Sequence, residues 1–325
     1  MARKIILDVD TGSDDAVAVM LAGLHPAVQL TACTTVWGNL DVSRTTGNTL
    51  SVLEHVGRGD VPVYKGLGRP YAPVLYSAAD NPEDELEVIH AIHLPQAAGR
   101  ERDRHAVDYL VETLRGTTER LTLVPVAPLS NIAAAITADP GIVDAVEEIV
   151  IMGGGHAVGN VTPSAEANIW HDPVAADVVF SAGFERLVLV PLDATHEAVI
   201  SRAQCERLAA HGTPAAQLAA QLIAQRLHGS DGGEPGLADD TATLHDALCI
   251  AYLIDPSVVT LTHCHAVIET YGRYTAGRTV LDVSGTGGGA PNAWVALRAD
   301  AGQFFSILES TFSGAAGGPG AAGAG

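Results

Sequence analysis

The chain has 325 residues, of which 47% are hydrophobic. It contains 18 Lys and Arg and 38 Asp and Glu, which gives a formal net charge of −20. This length allows a full buried core, as one large α/β domain or as two smaller ones. The negative charge would repel phosphate backbones and anionic membranes, so we expect a small neutral ligand or a cation, with no nucleic-acid or membrane partner.

Further features of the composition suggest a cytoplasmic location. The four cysteines show no C-x-x-C pairing, and a chain of this size needs no disulfides, so we expect reduced thiols. The N-terminal Met-Ala-Arg-Lys leads directly into a strand pattern without a signal-peptide hydrophobic region. Residues 121–138 are uncharged and long enough to span a bilayer, but they include Pro125 and Pro128, so we interpret them as buried strand, loop and helix.

Strand and helix patterns alternate along the chain. In chain order we predict a strand at 4–10, a helix from 14, a strand at 28–36, helices at 43–56 and 106–115, a strand at 121–126, a helix at 131–137, a strand at 148–152, a helix at 173–182 and a strand at 186–192. Residues 201–254 are mostly helical with a loop at 229–240, and strands at 265–269, 279–283 and 294–298 precede a last helix.

This alternation is typical of an α/β fold with an open, mainly parallel sheet and helices on both faces. No internal repeat or linker divides the chain. We therefore predict a single domain over residues 1–312 and a disordered Gly/Ala-rich tail over 313–325.

The densest chemical signal is the acidic run Asp8-Val9-Asp10-Thr11-Gly12-Ser13-Asp14-Asp15 at the first strand-to-helix turn. Helix capping would explain Asp14 or Asp15, but not Asp8 and Asp10 at the end of an apolar strand. Strands of an open α/β sheet present their carboxyl ends to the ligand crevice. Carboxylates packed there repel one another unless a cation neutralises them, and oxygen ligands favour calcium or magnesium. We therefore favour a metal site over capping.

Two glycine-rich stretches superficially resemble nucleotide-binding loops. Residues 285–290 match G-x-G-x-x-A, but a strand pattern rather than a helix follows, and Met152-Gly153-Gly154-Gly155 lacks the Lys-Ser/Thr of a phosphate loop. We interpret the first as a hairpin and the second as a close approach of backbone. His263 and His265 would share one strand face without a third zinc ligand, so we interpret them as ordinary sheet residues.

Two other polar groups have more than one interpretation. His245 precedes Asp246 at the start of an apolar helix pattern, where a helix cap or a surface histidine explains the pair as well as a functional site does. Asn160, Glu166 and Asn168 follow the strand that ends at Met152. In isolation they form a polar loop, although amide and carboxylate groups are what a pocket for sugar hydroxyls uses.

Together these segments resemble the inosine–uridine-type nucleoside hydrolases. The acidic run matches the family motif D-x-D-x-G-x-D-D at Asp8, Asp10, Gly12, Asp14 and Asp15. The other matching segments, in the family's order, are Trp37-Gly38-Asn39, Val124-Pro125-Val126, Pro128-Leu129-Ser130-Asn131, Met152-Gly153-Gly154-Gly155, Asn160, Glu166-Ala167-Asn168, Asp172-Pro173 and His245-Asp246. The matches extend over residues 4–308 and imply a nucleoside hydrolase-like α/β fold.

The resemblance implies hydrolysis of the N-glycosidic bond of ribonucleosides to ribose and free base, in nucleoside catabolism or base salvage, by a homo-oligomer (dimer or tetramer). It implies that Asp10, Asp15, Asp246 and the Val126 carbonyl hold Ca²⁺, and that Asp10 takes the proton of a calcium-bound water. His245 would face the leaving base. The implied substrate-binding residues are Asp14, Asn39, Met152, Asn160, Glu166 and Asn168.

Two departures from the family pattern concern the base. The counterpart of the family segment His-Gly-x-x-Gly-Leu-Gly lies at residues 92–99, where the glycines of the motif are missing and His93 is the equivalent histidine, and so a further implied substrate-binding residue. The segment before His245, often aromatic in the family, reads Gln225-Arg226-Leu227-His228-Gly229 and has no tyrosine to stack on a base. The sequence therefore does not specify purine or pyrimidine preference.

Two alternative functions compete with this one. A phosphohydrolase of the haloacid dehalogenase class also places two Asp at the end of an apolar strand, as Asp8 and Asp10 are placed here. It would need a nucleophilic Asp, a later Lys and a second acidic pair, and it leaves Glu166, Asn168 and His245 unexplained. A non-catalytic nucleoside- or ribose-binding protein would bind the same ligand without turnover.

Overall fold

The computed structural model describes residues 2–72, 90–227 and 237–314. The strands are β1 (Arg3–Val9), β2 (Val28–Thr35), β3 (Val63–Lys65), β4 (Leu121–Pro125), β5 (Val146–Met152), β6 (Leu187–Val190), β7 (Ile200–Ser201), β8 (Thr241–Ala242), β9 (Val259–Ile268), β10 (Thr279–Asp282) and β11 (Ala293–Ala299). The α-helices are α1 (Ser13–Leu24), α2 (Val42–His55), α3 (Ala106–Gly116), α4 (Ser130–Ala138), α5 (Ala167–His171), α6 (Pro173–Phe180), α7 (Leu192–Thr195), α8 (Arg202–Ala210), α9 (Pro214–Arg226), α10 (His245–Ile254) and α11 (Ala301–Phe312).

The central sheet is mainly parallel, as predicted. Nine strands of the described residues follow the order β10-β9-β11-β6-β5-β4-β1-β2-β3, and β7 and β8 form a separate two-stranded sheet. The pairs from β11 through to β3 are all parallel, whereas β9 is antiparallel to both β10 and β11. Helices connect most of the parallel strands, as crossover connections require.

Two apolar cores cover the two faces of the sheet. Strand side chains alternate in direction, so Ile5, Leu7 and Val9 of β1 pack in one core and Ile6 in the other. The first core contains α1, α2, α8, α9, α10 and α11. The second contains α3, α4 and α6. The prediction of helices on both faces is therefore confirmed, and it explains why the strand sequences read as continuous apolar runs.

The order of the strands creates a crevice beside β1. The chain runs from β1 outward to β2 and β3, and then returns to place β4 on the other side of β1. In open α/β sheets, ligands bind outside the carboxyl ends of the strands where the strand order reverses in this way. Asp10 follows the carboxyl end of β1, and Val126 follows the carboxyl end of β4. The backbone N–H of Val126 donates to the Asp8 carbonyl at 2.9 Å, which fixes the two strand ends side by side.

Several details differ from the sequence predictions. Residues 285–290 do not form a hairpin: β10 and β11 both pair with β9, so the loop between them passes the end of β9 instead. Strand β9 begins six residues before the predicted 265, because its amino-terminal half is too mixed in polarity to be recognised. The short strands β3, β7 and β8 were not predicted.

Other predictions are confirmed. Residues 121–138 form β4 and α4, and none of the helices in the described ranges is long and apolar enough to cross a bilayer. His263 stacks on Trp294 with ring centroids 4.3 Å apart, as an ordinary sheet residue. A side chain at Gly154 or Gly155 would collide with its surroundings, which confirms the close backbone approach. Most of the predicted tail and most of the predicted 229–240 loop lie outside the described residues.

Candidate active site

Four buried carboxylates meet where β1 ends and where α1 and α10 begin. Asp10, Asp14, Asp15 and Asp246 are each no more than 6% exposed. One oxygen from each of Asp14, Asp15 and Asp246 lies within 4.8 Å of the others, which is close enough for a shared metal ion. Asp10 is not part of this trio, although the sequence prediction placed it in the metal set in preference to Asp14.

Asp10 has one oxygen engaged and one unengaged. Its Oδ2 accepts a 2.7 Å hydrogen bond from the Asn39 backbone N–H. Its Oδ1 is buried and has no hydrogen-bond partner among the described residues. Gly38 makes this approach possible, because a Cβ at that position would collide with the Asp10 carboxylate. A buried acceptor without a protein partner is costly, so Oδ1 is suited to contact a cation or a water molecule.

Asp15 both caps α1 and belongs to the carboxylate cluster. Its two oxygens accept from the backbone N–H groups of Asp10 and Gly12 at 3.2 and 3.0 Å. The Asn39 side chain also donates to Asp15 at 3.1 Å. The capping interpretation is thus correct for Asp15, and its place in the trio leaves it free to contribute to a metal site as well. Because Asp15 lies in the first turn of α1, the helix dipole also stabilises its negative charge.

Burial and mutual repulsion disfavour the charged forms of three of the four carboxylates. Burial raises the pKa of Asp15 to about 7, and the neighbouring charge of Asp14 adds to this shift. Burial, followed by the charges of Asp14, Asp15 and Asp10, raises the pKa of Asp246 well above its usual range. Burial and the charge of Asp15 do the same to the pKa of Asp10. Like charges in a buried site produce this pattern, and a divalent cation would relieve it.

Asp14 is the exception because it contacts a buried cation. Burial opposes the charged form of Asp14, but the Arg226 guanidinium at 3.2 Å lowers its pKa below the ordinary value. Sequence reasoning missed this contact. Arg226 lies at the end of α9, more than 200 residues from Asp14 in the sequence, within a segment singled out only for its lack of aromatic residues.

Three of the predicted sugar-binding residues, Asn160, Glu166 and Asn168, lie at or before the start of α5, next to the ends of β4 and β5. The Asn168 amide donates to the carbonyls of Val126 and Met152 at 3.1 and 3.2 Å, so it joins the ends of β4 and β5. Glu166 caps α5 and accepts from the backbone N–H groups of Gly154, Asn168 and Ile169. Burial raises the pKa of Glu166. The Asn160 side chain accepts from the Ala167 N–H at 3.0 Å, which places it beside Glu166.

His245 is a buried residue and not a surface or capping histidine. Only 5% of it is exposed, and Leu244 rather than His245 occupies the N-cap position of α10. Its Nδ1 lies 2.7 Å from the Thr195 hydroxyl, and its Nε2 lies 3.0 Å from the Thr243 hydroxyl. A positive charge on His245 would lower the pKa of both Asp14 and Glu166. These contacts place its imidazole within the same polar region as the carboxylates.

His90, and not His93, lies beside the carboxylates. His93 is exposed, whereas His90 is 8% exposed and its ring would collide with any side chain at Gly12. Its Nδ1 is buried and has no hydrogen-bond partner among the described residues. Burial lowers the pKa of His90 to about 4, so the ring is neutral near pH 7. Without the flanking glycines of the family, no local pattern distinguishes His90 from His93 in the sequence.

Fold and site together define an α/β protein with a buried acidic cluster, at the crevice beside β1, that could hold a metal ion. The chain matches the inosine-uridine preferring nucleoside hydrolase family over residues 5–306 and belongs to that family. The predicted family and the prediction of an enzyme are therefore confirmed, and the haloacid dehalogenase alternative is wrong because the match covers nearly the whole chain.

Relatives and solved structures agree with this assignment. The chain is 38% identical over 312 residues to the pyrimidine-specific ribonucleoside hydrolase RihB of Escherichia coli, covering 96% of this chain and 97% of that protein. A purine-preferring ribonucleoside hydrolase from Gardnerella vaginalis superimposes with a TM-score of 0.86 at 29% identity, covering 97% of this chain and 99% of that one. A plant nucleoside hydrolase gives a TM-score of 0.85 at 27% identity, covering 96% and 99% of the two chains.

Proposed function

We propose that this chain hydrolyses the N-glycosidic bond of ribonucleosides, with Ca²⁺ as cofactor and Asp10 as general base. The observation that carries the proposal is the cluster of four buried carboxylates in a chain of the nucleoside hydrolase family. A non-catalytic nucleoside-binding protein would have no use for an acidic side chain with an unengaged oxygen at its centre.

The donor set fits a hard divalent cation. Asp10, Asp15, Asp246 and the Val126 carbonyl would hold the ion, and Asp14 is close enough to contribute. These donors are all oxygens, which calcium prefers, and none is a thiol or imidazole. When bound, the ion would acidify water and orient a sugar diol.

Asp10 is suited to accept the proton of the attacking water. Its Oδ2 is held by Asn39, while its Oδ1 remains available as an acceptor in the site. A carboxylate held through one oxygen can take the proton of a water molecule on its other oxygen. Cleavage of a glycosidic bond passes through a cationic sugar, and the surrounding carboxylates would stabilise that positive charge.

Sugar binding would come from the polar groups that surround this cluster. Asp14, Asn39 and Asn168 would bind the 2′- and 3′-hydroxyls, and Asn160 and Glu166 would bind the 5′-hydroxyl near Met152. Support comes from how they are held: Glu166 is fixed by three backbone N–H groups, and Asn168 bridges two strand ends. Groups fixed in this way lose little entropy when a ligand binds.

The direct test is a reducing-sugar assay of the full chain with uridine, cytidine, inosine and adenosine, each beside its 2′-deoxy form. We expect turnover of ribonucleosides, fastest for the pyrimidines because the 38% identical relatives are named pyrimidine-specific. A missing hydroxyl leaves buried groups unpaired at about 1–3 kcal/mol each, so 2′-deoxynucleosides should react roughly 10- to 100-fold more slowly. Tight ribonucleoside binding without release of sugar would contradict the proposal.

Calcium should stabilise the folded protein in addition to supporting its activity. An ion that binds only the native state stabilises it by about 2.7 kcal/mol at a concentration 100 times its Kd. We therefore expect Ca²⁺ to raise the Tm of chelator-treated protein by several degrees in differential scanning fluorimetry. Asp246→Asn should abolish most of this shift, whereas the same change at the exposed Asp144 should preserve it. An equal calcium shift in both variants would place the ion elsewhere.

Location and assembly complete the proposal. We propose a cytoplasmic homo-oligomer, dimer or tetramer, that serves nucleoside catabolism or base salvage. The free, buried state of all four cysteines is consistent with a reducing compartment.

A further inference from the structure

Arg226 is a buried cation at the carboxyl end of α9, and it is only 6% exposed. Arginine is almost never buried to this extent unless it is paired. Its Nη1 donates to the Ser13 hydroxyl at 3.1 Å and to Asp14 Oδ1 at 3.2 Å. Its Nε donates to the Thr243 carbonyl at 2.9 Å. One guanidinium therefore joins the start of α1 to the segment that precedes α10.

These contacts fix the direction of the guanidinium. The bond to Thr243 holds Nε, and the planar geometry of the group then determines where Nη1 points. The Ser13 hydroxyl adds a second acceptor beside Asp14. As a result, one oxygen of Asp14 is held by a rigid partner, and the carboxylate cannot rotate freely within the site.

Asp14 differs in this respect from the other members of the cluster. Among the described residues, Asp14 forms a salt bridge with an arginine, and the other three carboxylates of the cluster do not. Asp15 and Asp246 lie within 4.8 Å and would repel an unpaired Asp14. Arg226 offsets that repulsion, so that Asp14 can remain a charged acceptor for a sugar hydroxyl while the others surround a cation.

We propose that Arg226 is a positioning residue, which orients Asp14 toward the sugar diol and thereby sets the preference for ribose over deoxyribose. The proposal rests on the function proposed above, in which Asp14 binds a ribose hydroxyl. It adds a residue from a separate helix, outside the acidic run, whose effect on substrates passes through Asp14.

The test uses Arg226→Gln, Arg226→Lys and the control Arg207→Gln, which removes an exposed arginine paired with Glu309 on the surface. For each variant, kcat/KM is measured with the ribonucleoside that the wild type cleaves fastest and with its 2′-deoxy and 3′-deoxy forms. We expect Arg226→Gln to lower kcat/KM for the ribonucleoside by about 10²-fold, the effect of a substrate-positioning group displaced by about 1 Å. The loss on at least one deoxy form should be about tenfold smaller, because that form lacks the hydroxyl that Asp14 contacts.

Arg226→Lys keeps the charge but loses the fork geometry, so it should fall between wild type and Arg226→Gln. Arg207→Gln should match the wild type. Equal losses on all three substrates, or no loss in either Arg226 variant, would overturn the inference. If Arg226→Gln does not fold, the losses of kcat/KM on the three substrates are compared in Arg226→Lys instead, with the same criteria. A wild type that cleaves no ribonucleoside would instead refute the proposed function itself.

Discussion

Asp10→Asn should lower kcat for ribonucleosides by about 10²- to 10⁴-fold, the usual contribution of a general base. An amide can occupy the same space beside Asn39, because its oxygen can still accept the backbone N–H. It cannot take a proton from water. The fold should persist, and the metal-free variant should be at least as stable as the metal-free wild type, since burial and the charge of Asp15 already disfavour the ionised form of Asp10.

Asp8→Asn is the matched control, because it makes the same substitution two residues earlier in the same strand end. Asp8 is equally buried, but its Oδ1 accepts from Thr34 and from Asn131 at 2.5 and 2.8 Å. An amide oxygen can replace these contacts, and the amide nitrogen would take the place of Oδ2, which has no hydrogen-bond partner among the described residues. Burial also raises the pKa of Asp8 to about 7, so a neutral side chain is tolerated there. We expect its kcat to stay within tenfold of the wild type.

Steady-state kinetics and thermal melts of the two variants distinguish the roles. A large loss of kcat in Asp10→Asn alone, with both proteins folded, supports proton transfer by Asp10. Near-normal kcat in Asp10→Asn would remove it from that role. Similar losses of kcat in both variants would indicate that activity depends on the combined negative charge of Asp8 and Asp10. In that case neither aspartate alone acts as the base.

The fold could be predicted largely because its signals are local. Continuous apolar strands alternate with helical segments, and such alternation restricts the topology to a covered parallel sheet. The antiparallel strands β9, β10 and β11 at one edge of the sheet were harder to predict, because the pairing of β9 depends on contacts between segments far apart in the sequence. The hairpin prediction at residues 285–290 was wrong for that reason: glycine content indicates a turn but does not identify which strands pair.

The site was predicted where one short segment contains several of its residues. Asp10, Asp14 and Asp15 lie in one turn, and strand ends at a topological switch point converge on a crevice. Arg226 and His90 were missed because each contributes a single side chain from a segment without a pattern of its own. Only the three-dimensional structure shows that Arg226 contacts Asp14 and that His90 packs over Gly12.

The prediction that His245 assists departure of the base can be tested through the leaving group. Its two ring nitrogens lie 2.7 and 3.0 Å from the hydroxyls of Thr195 and Thr243, so its orientation is fixed. A hydroxyl can donate or accept, and either threonine can therefore support the protonated or the neutral ring. Histidine can supply a proton near neutral pH, and a purine or pyrimidine leaves more easily once it is protonated.

We expect His245→Ala to lower kcat for natural ribonucleosides by about 10²- to 10⁴-fold and to leave hydrolysis of a nitrophenyl riboside nearly unchanged. Nitrophenolate departs without a proton, so it reports on the sugar and metal sites alone. His55→Ala, which removes an exposed histidine on α2, controls for the substitution itself. Equal losses on both kinds of substrate would mean that His245 positions the surrounding loop, because a displaced Asp246 would impair every substrate. Unchanged rates on both would show that proton delivery comes from elsewhere, and the same comparison applied to His90→Ala would then examine the second buried histidine of the site.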